Sequence, residues 1–348
     1  MAKKQLMPWF NTVRPKYERV MKNSMSFQII GTGSAYPVCI KTNDELSQLV
    51  DTTDEWISSR TGIKSRHIST TESLSELAVT AAKQALEDAN VKSEELSLII
   101  CATIQGDYVT PSLACVVQKE IGAKCPAFDV NAACSGFIYG LDIALGYYER
   151  KKADKVLIIA AETMSKHVNW KDRATCVLFG DGAGAVVLSA GDGLVAIKTT
   201  ASGATDILTI PGRTGNNPFS EPKAMDDYLY MNGPEVFKFA VTSMCRDLKD
   251  VIAAAGLTET EIDMVLPHQA NLKIIEGAMN RLKIPEEKYY GNIEHSGNIS
   301  AASIPILLDE LNKAGLIKKG FKLALSSFGG GLTSAACVIK WNKEAVQK

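Results

Sequence analysis

The chain lacks several features that would assign it to a broad protein class. Lys and Arg number 38 against 39 Asp and Glu, so no basic surplus suggests nucleic-acid binding. The eight cysteines form no Cys-x-x-Cys pair, so neither a zinc site nor a disulfide framework is indicated. No run of about 18 apolar residues occurs, and the N-terminus lacks a secretory signal. These absences predict a cytoplasmic protein with no metal and no nucleic-acid or membrane partner.

What is present suits a globular protein with a large core. The 348 residues are 46% hydrophobic and 22% charged, enough for one large domain or two medium ones. Residues 1–24 differ, because they carry six basic residues against a single acid, Glu18, before the first clear strand at 27–30. We predict a loosely held basic tail here. An organelle-targeting peptide, a carrier-binding arm and an upstream start before Met25 remain open as interpretations.

Two parts of the chain resemble two later parts, which indicates an internal duplication. Residues 85–100 align without a gap on residues 251–266, at an offset of 166, and both are typical of a helix end, an acidic turn and a strand. Residues 179–188 and 328–337 each place a glycine-rich turn before a strand. Such a succession could recur by chance in an α/β protein, but two ordered repeats favour duplication. We predict an α/β fold of two βαβ halves, residues 25–196 and 197–348.

Cys134 lies where an apolar strand, residues 127–130, gives way to small residues and then to a helix. The helix is indicated by apolar residues at helical spacing: Phe137, Leu141, Ala144, Leu145 and Tyr148. Because the free amides of a first helical turn favour negative charge, we expect this thiol to ionise more readily than a free cysteine. The alternative interpretation is a small cysteine that merely packs between strand and helix.

Two polar residues downstream occupy similar positions. His268 directly follows a short apolar strand, and Asn298 lies in what we interpret as a second strand-to-helix turn. In α/β folds, sites form in the crevice beyond the carboxyl ends of the strands, because backbone amides and side chains converge there. We therefore predict that Cys134, His268 and Asn298 form one site.

The same three residue types form the catalytic set of papain-like hydrolases, so a cysteine hydrolase is the rival interpretation. His268 and Asn298 follow Cys134 by 134 and 164 residues. However, that family has an aromatic residue directly after its nucleophile, whereas Ser135 follows Cys134. A third interpretation, a noncatalytic module that binds acyl-CoA or a carrier protein, is disfavoured by the intact set of three.

Four separated motifs together resemble β-ketoacyl-acyl-carrier-protein synthase III, a member of the thiolase superfamily. They are Ala-Ala-Cys-Ser-Gly-Phe at 132–137, Pro-His-Gln-Ala-Asn at 267–271, Gly-Asn-Ile-Ser-Ala-Ala-Ser at 297–303 and Phe-Gly-Gly-Gly-Leu-Thr at 328–333. The resemblance runs from about Phe27 to the C-terminus. It implies a thiolase-like fold of two duplicated halves in αβαβα layers. The asparagine separates this branch from the chain-elongating synthases, which carry a second histidine there.

The resemblance implies a decarboxylating Claisen condensation that initiates fatty acid synthesis without a cofactor. Cys134 would take the acyl group from a short acyl-CoA, with the amides of Cys134 and Gly330 stabilising the oxyanion. Malonyl-acyl carrier protein would then lose carbon dioxide, with His268 and Asn298 holding the enolate oxygen. The carbanion would attack the acyl-cysteine to give a β-ketoacyl product. Phe328 resembles the family's phenylalanine beside the thiol, where an apolar wall disfavours water.

A segment at 54–67 is similar to the part of this family that contacts CoA. Trp56 is expected to stack on the adenine, and Arg60 and Arg173 to lie near the phosphates, which suit the planar donor fork of arginine. The resemblance assigns six residues to CoA binding: Thr52, Trp56, Arg60, Arg173, Phe237 and Asn271. Of these, Phe237 and Asn271 are expected along the pantetheine arm.

The resemblance also implies a homodimer and a contact of Lys273 and Arg281 with the acidic carrier protein. Two departures bear on the choice of primer. Thr110 falls where some members have a phenylalanine that closes the acyl pocket across the dimer, so a primer larger than acetyl could fit. Residues 333–336, Thr-Ser-Ala-Ala, replace the family's Thr-Trp-Gly. Because related enzymes serve polyketide, quinolone and biotin-precursor routes, those pathways are the alternatives.

Overall fold

The computed structural model describes residues 26–212, 218–219 and 228–344, so the basic tail predicted at 1–24 lies outside it. The strands are β1 (Ser26–Ala35), β2 (Ile40–Thr42), β3 (Ser65–His67), β4 (Leu98–Ala102), β5 (Ala127–Val130), β6 (Lys155–Thr163), β7 (Asp181–Gly191), β8 (Leu194–Ala204), β9 (Leu208–Thr209), β10 (Tyr230–Met231), β11 (Met264–Pro267), β12 (Lys322–Gly329) and β13 (Gly331–Lys340). The helices are α1 (Asn43–Leu46), α2 (Asp54–Thr61), α3 (Leu74–Ala89), α4 (Leu113–Ile121), α5 (Gly136–Glu149), α6 (Gly233–Ala254), α7 (Leu272–Leu282), α8 (Ile293–Ser296) and α9 (Ser303–Lys313).

Two mixed sheets and three helical layers form the core. The first sheet has the order β1-β7-β6-β4-β5 and the second the order β11-β12-β13-β8. Helices α5 and α9 pack between the sheets, α3 and α4 cover the outer face of the first sheet, and α6 and α7 cover that of the second. This αβαβα layering confirms the predicted fold class.

Strand β4 illustrates why the central strands are apolar throughout. Leu98, Ile100 and Ala102 belong to the core between the sheets, whereas Ile99 and Cys101 belong to the core under α3 and α4. Successive side chains of a strand point to opposite faces, and here helices cover both faces. The sequence of such a strand is therefore a continuous apolar run.

The two sheets share strand order and strand direction. The series β8-β13-β12-β11 has the same parallel and antiparallel pairings as β1-β7-β6-β4. The 3₁₀ turns Ser93–Glu95 and Glu259–Glu261 lie 166 residues apart, the offset expected from the sequence. These correspondences support the proposed duplication. Strand β8, the first strand of the second sheet along the chain, begins at Leu194, and the division into halves at residue 196 stays a prediction.

Equivalent turns precede the two central helices. The 3₁₀ turns Ala133–Ser135 and Ser300–Ala302 lead into α5 and α9. Ala133 has φ +46° and Ser300 has φ +48°, in the left-handed region that residues other than glycine adopt at a cost. Each half thus has a residue with a left-handed backbone conformation in the turn before its central helix.

Among the helices of the described ranges, none is both long enough and apolar enough to span a bilayer.

Candidate active site

Cys134 lies in the turn that joins β5 to α5, as the sequence pattern predicts. The end of β12 passes directly against this turn, since a Cβ built on Gly329 would lie 2.7 Å from the Cys134 amide nitrogen. A side chain at residue 329 would therefore displace the turn. The glycine allows a strand of the second half to approach the nucleophile contributed by the first half.

The structure brings Cys134, His268 and Asn298 to one cavity of about 480 Å³. Phe328 and Gly330 also line this cavity, as expected. Much of its wall is apolar, formed for example by Ile104, Met164, Leu208, Leu229, Val236 and Ile274. A cavity of this size and lining suits an acyl chain or the arm of a carrier, with a few polar groups for orientation.

His268 follows β11 and is held by its backbone, whose N–H donates to the Ser326 carbonyl at 2.8 Å. Its side chain is buried, and neither ring nitrogen has a hydrogen-bond partner among the described residues. Burial lowers the pKa of His268 to about 3. The imidazole is therefore neutral near pH 7 and can donate from one nitrogen while the other accepts.

Asn298 forms an isolated parallel β-bridge with Phe179 rather than ending a strand, and the turn that follows it leads into α9, so only the strand part of the expectation is wrong. It lies between α8 and the turn before α9, and its backbone is bonded on both sides to the segment before β7, to Leu178 O at 2.9 Å and from Gly180 N at 3.0 Å. Its Oδ1 accepts from the Ser300 amide at 2.9 Å. This bond orients the carboxamide and reserves its NH₂ group for donation.

The thiol of Cys134 is less acidic than a free cysteine, contrary to expectation. Although the side chain is partly exposed to the cavity, surrounding protein atoms remove most of its solvation, which raises its pKa to about 12. The Ser300 hydroxyl opposes this shift and the Glu162 carboxyl reinforces it. Loss of solvation outweighs the amides at the helix start, because the charged thiolate suffers most from burial.

Two of the residues assigned to CoA line the cavity directly, namely Phe237 and Asn271. Asn271 is also the N-cap of α7, where its Oδ1 accepts from the Lys273 amide at 2.8 Å. Phe237 on α6 is 43% exposed, which places an aromatic face at the open part of the wall. A structural role thus accounts for Asn271, whereas no packing requirement explains the exposure of Phe237.

Trp56, Arg60 and Arg173 form a second group outside the cavity lining. Both guanidinium groups lie over the indole ring, at 4.7 Å for Arg60 and 5.1 Å for Arg173. Trp56 and Leu208 both pack on an apolar cluster that includes Leu229, and the two leucines also line the cavity. Cations stacked on an indole are an arrangement that favours contact with an anionic aromatic ligand.

The remaining predicted residues do not line the cavity. Thr52 is half-buried, and its hydroxyl has no partner among the described residues. Thr110 is exposed and does not line the cavity within a single chain. Lys273 and Arg281 are both exposed on α7, with Lys273 paired to Glu276 at 3.0 Å. No described group of three His, Cys, Asp or Glu side chains could hold a metal ion.

Sequence reasoning missed Gly329, Glu162 and the side chain of Ser300. Gly329 and Ser300 lie inside motifs that were recognised, but their contacts depend on the fold. Glu162 could have been identified from the sequence, because it is an acidic residue that directly follows the apolar run 156–161. Acidic side chains are rarely fully buried without a partner, so such a position indicates a special environment.

Comparison of the chain with known family models and proteins finds matches to the same family. Residues 128–204 match the family model described as 3-oxoacyl-[acyl-carrier-protein (ACP)] synthase III, and residues 252–341 match its C-terminal model. The chain is 48% identical to the β-ketoacyl-[acyl-carrier-protein] synthase III of Clostridium acetobutylicum, over 91% of this chain and 99% of that protein.

Solved structures show the same similarity. The 3-oxoacyl-[acyl-carrier-protein] synthase III of Aquifex aeolicus superposes with a TM-score of 0.85 at 44% identity, covering 91% of this chain and 100% of the other. The priming β-ketosynthase of the R1128 polyketide pathway superposes with a TM-score of 0.87 at 32% identity, covering 93% and 98%.

Proposed function

The chain belongs to the 3-oxoacyl-[acyl-carrier-protein] synthase III family, and we propose that it condenses a short acyl primer from acyl-CoA with malonyl-acyl carrier protein. It is an acyltransferase whose product, a β-ketoacyl-acyl carrier protein, starts fatty acid synthesis. The observation that carries the assignment is the convergence of Cys134, His268 and Asn298 on one largely apolar cavity.

In the first half-reaction, Cys134 attacks the thioester carbonyl of acyl-CoA. The bond from carbonyl carbon to the CoA sulfur breaks as the bond to Cys134 Sγ forms, and the thiol proton ends on CoA. Because burial raises the pKa of the thiol, the proton leaves as the new bond forms rather than beforehand. The backbone amides of Cys134 and Gly330 are the proposed donors to the oxyanion.

In the second half-reaction, the malonyl thioester loses carbon dioxide and leaves an enolate. A neutral His268 and the Asn298 NH₂ group are the two proposed donors to the enolate oxygen, since neither introduces a full charge. The enolate carbon then attacks the acyl-cysteine carbonyl. Cys134 leaves as a thiolate and takes up one proton, which restores the enzyme.

The group formed by Trp56, Arg60 and Arg173 supports CoA as the primer carrier. The indole and the two guanidinium groups stacked on it bring an aromatic surface and positive charge together, which suits an adenine nucleotide and its phosphates. Thr52 is part of the proposed CoA site, and Phe237 and Asn271, which line the cavity, would contact the pantetheine arm. Lys273 and Arg281 on α7 would meet the acidic carrier protein.

A homodimer and a cytoplasmic location are part of the same proposal. Strand β5 is an edge of the first sheet among the described strands, and Tyr108 and Val109 nearby are 58% and 93% exposed. An unpaired edge beside exposed apolar side chains suits pairing with a second copy. In such a dimer, Thr110 would reach the partner's acyl pocket, where its small size would admit a larger primer.

Acylation by a panel of labelled acyl-CoA primers, mapped by mass spectrometry, tests the proposal. Label is expected on Cys134 and absent from Cys134→Ser, whereas Cys115→Ser, a half-exposed thiol on α4, should leave labelling unchanged. Addition of malonyl-acyl carrier protein should convert the label to a β-ketoacyl product. Failure of every primer to acylate Cys134 would contradict the proposal, and release of free acid alone would favour a hydrolase. The primer that reacts fastest separates acetyl-primed fatty acid synthesis from the polyketide, quinolone and biotin-precursor routes.

A further inference from the structure

Glu162 is a buried acid that the reaction described above does not use. It lies near the end of β6 with 1% of its surface exposed. Its Oε2 accepts from the Ile104 amide at 3.2 Å and from the Thr103 hydroxyl at 3.5 Å, and its Oε1 lies 3.1 Å from Ser300 Oγ. No described basic side chain contributes to its environment. A carboxylate held only by neutral donors is unusual in a protein core.

Ser300 connects this acid to the site. Its side chain is fully buried, its hydroxyl bonds to Glu162, and the same hydroxyl acts on the Cys134 thiol in the direction that favours the thiolate. Its backbone amide donates to Asn298 Oδ1 at 2.9 Å. One residue with a left-handed backbone therefore binds the acid and the asparagine that lines the cavity, and its turn packs against the turn that holds Cys134.

The single proton of a serine hydroxyl can point in only one direction at a time. When Glu162 is ionised, that proton is donated to the carboxylate, and the sulfur faces an oxygen lone pair and a nearby negative charge. When Glu162 is protonated, the acid donates to Ser300 Oγ, which frees the hydroxyl proton for the sulfur. Burial raises the pKa of Glu162 to about 8, so the protonated arrangement prevails near neutral pH.

The groups around Glu162 leave Cys134 as its titratable neighbour. Cys134 faces it from the turn before α5, whereas the segment after β4 and the turn Ser300–Ala302 present only amides and hydroxyls. On the adjacent strand β7, Asp181 is paired opposite Thr163 and binds Ser165 and Ser69 instead.

We propose that Glu162 and Ser300 form a hydrogen-bond relay behind the nucleophile, in which Glu162 is a positioning residue that directs the Ser300 hydroxyl toward the sulfur. The proposal deepens the condensing reaction and rests on it for its biological role. Its physical content is a dependence of thiol reactivity on the protonation of Glu162.

Alkylation of Cys134 by iodoacetamide, followed by site-resolved mass spectrometry between pH 6 and 10.5, tests the relay. In the parent protein, the plot of log rate against pH should flatten above pH 8 as Glu162 ionises. Glu162→Gln, which stays neutral and can still donate to Ser300, should rise without that break and react about tenfold faster than the parent at pH 10, the effect of one unit in thiol pKa. Ser300→Ala should react about tenfold more slowly than the parent at pH 7.

Asp181→Asn is the matched control, because it removes another buried carboxyl with different partners and should keep the parental break. Superimposable profiles of Glu162→Gln and the parent would overturn the relay, as would an unchanged rate for Ser300→Ala at pH 7. The Ser300→Ala result alone decides the matter if Glu162→Gln does not fold. If the profiles change as expected but no acyl-CoA acylates Cys134, the relay stands and the proposed function fails.

Discussion

His268 and Phe328 meet edge to face, with ring centroids 5.4 Å apart and planes inclined by 67°. The contact joins the residue after β11 to the end of β12, so two parallel neighbouring strands deliver an imidazole and an apolar ring to the same cavity. The phenyl ring covers one side of the imidazole and so contributes to the burial that lowers the pKa of His268 and keeps it neutral. The contact therefore connects the protonation state of His268 to the apolar wall of the cavity.

His268→Ala and Asn298→Ala should each retain acylation of Cys134 and lose decarboxylation of malonyl-acyl carrier protein. Removal of one donor aimed at a developing oxyanion typically lowers kcat about 100- to 1,000-fold. Carbon dioxide release and acyl transfer would be followed separately. Equal loss of acylation in both variants and in Cys134→Ser would contradict the proposed division of roles.

The buried His268 should make the protein less stable as pH falls below about 6.5. An unfolded histidine binds a proton there, whereas folded His268 remains neutral to about pH 3, so the unfolded state gains protons first. Urea denaturation at pH 7.5 and 4.5 would measure the change, with His268→Gln as the reference variant. The parent should lose about 2.7 kcal/mol more than His268→Gln over this interval, because one proton is linked to unfolding over the two pH units below 6.5. An identical pH dependence of the free energy of unfolding in both proteins would show that His268 charges in the folded state.

Phe328→Ala should increase hydrolysis of the acyl-enzyme, because the ring is part of the apolar wall of the cavity that Cys134 also lines. Release of free acid without malonyl-acyl carrier protein is expected to rise, measured from a labelled acyl-enzyme. Phe321→Ala is the control, since Phe321 packs on the main core just before β12, at the end remote from Phe328. Equal acid release from both variants would assign the effect to general loosening of the fold.

Gly329→Ala should abolish most acylation, because its new Cβ would lie 2.7 Å from the Cys134 amide and push the nucleophile out of position. A loss of about 100-fold in the acylation rate is expected from a displacement of about 1 Å. Gly203→Ala on β8 is the matched control, since a Cβ there meets no atom within 4 Å. Full activity of Gly329→Ala would show that the turn adjusts without cost.

Local sequence determined the elements of this protein and much of its site. The strand, small residues and helix around Cys134 are encoded by adjacent residues, and the repeat offset of 166 reappears in the two 3₁₀ turns. The position of Asn298 could not be predicted in this way. Its surroundings are set by hydrogen bonds to Leu178 and Gly180, more than 100 residues earlier in the chain.

The tertiary structure alone decided the electrostatics. A helix start predicts a more acidic Cys134, but burial between the two halves reverses the direction of the pKa shift, because solvation depends on every atom nearby. For the same reason, only the packed fold makes His268 neutral and brings Glu162 within hydrogen-bond distance of Ser300. Periodicity and motifs are properties of neighbours along the chain, whereas loss of water is a property of neighbours in space.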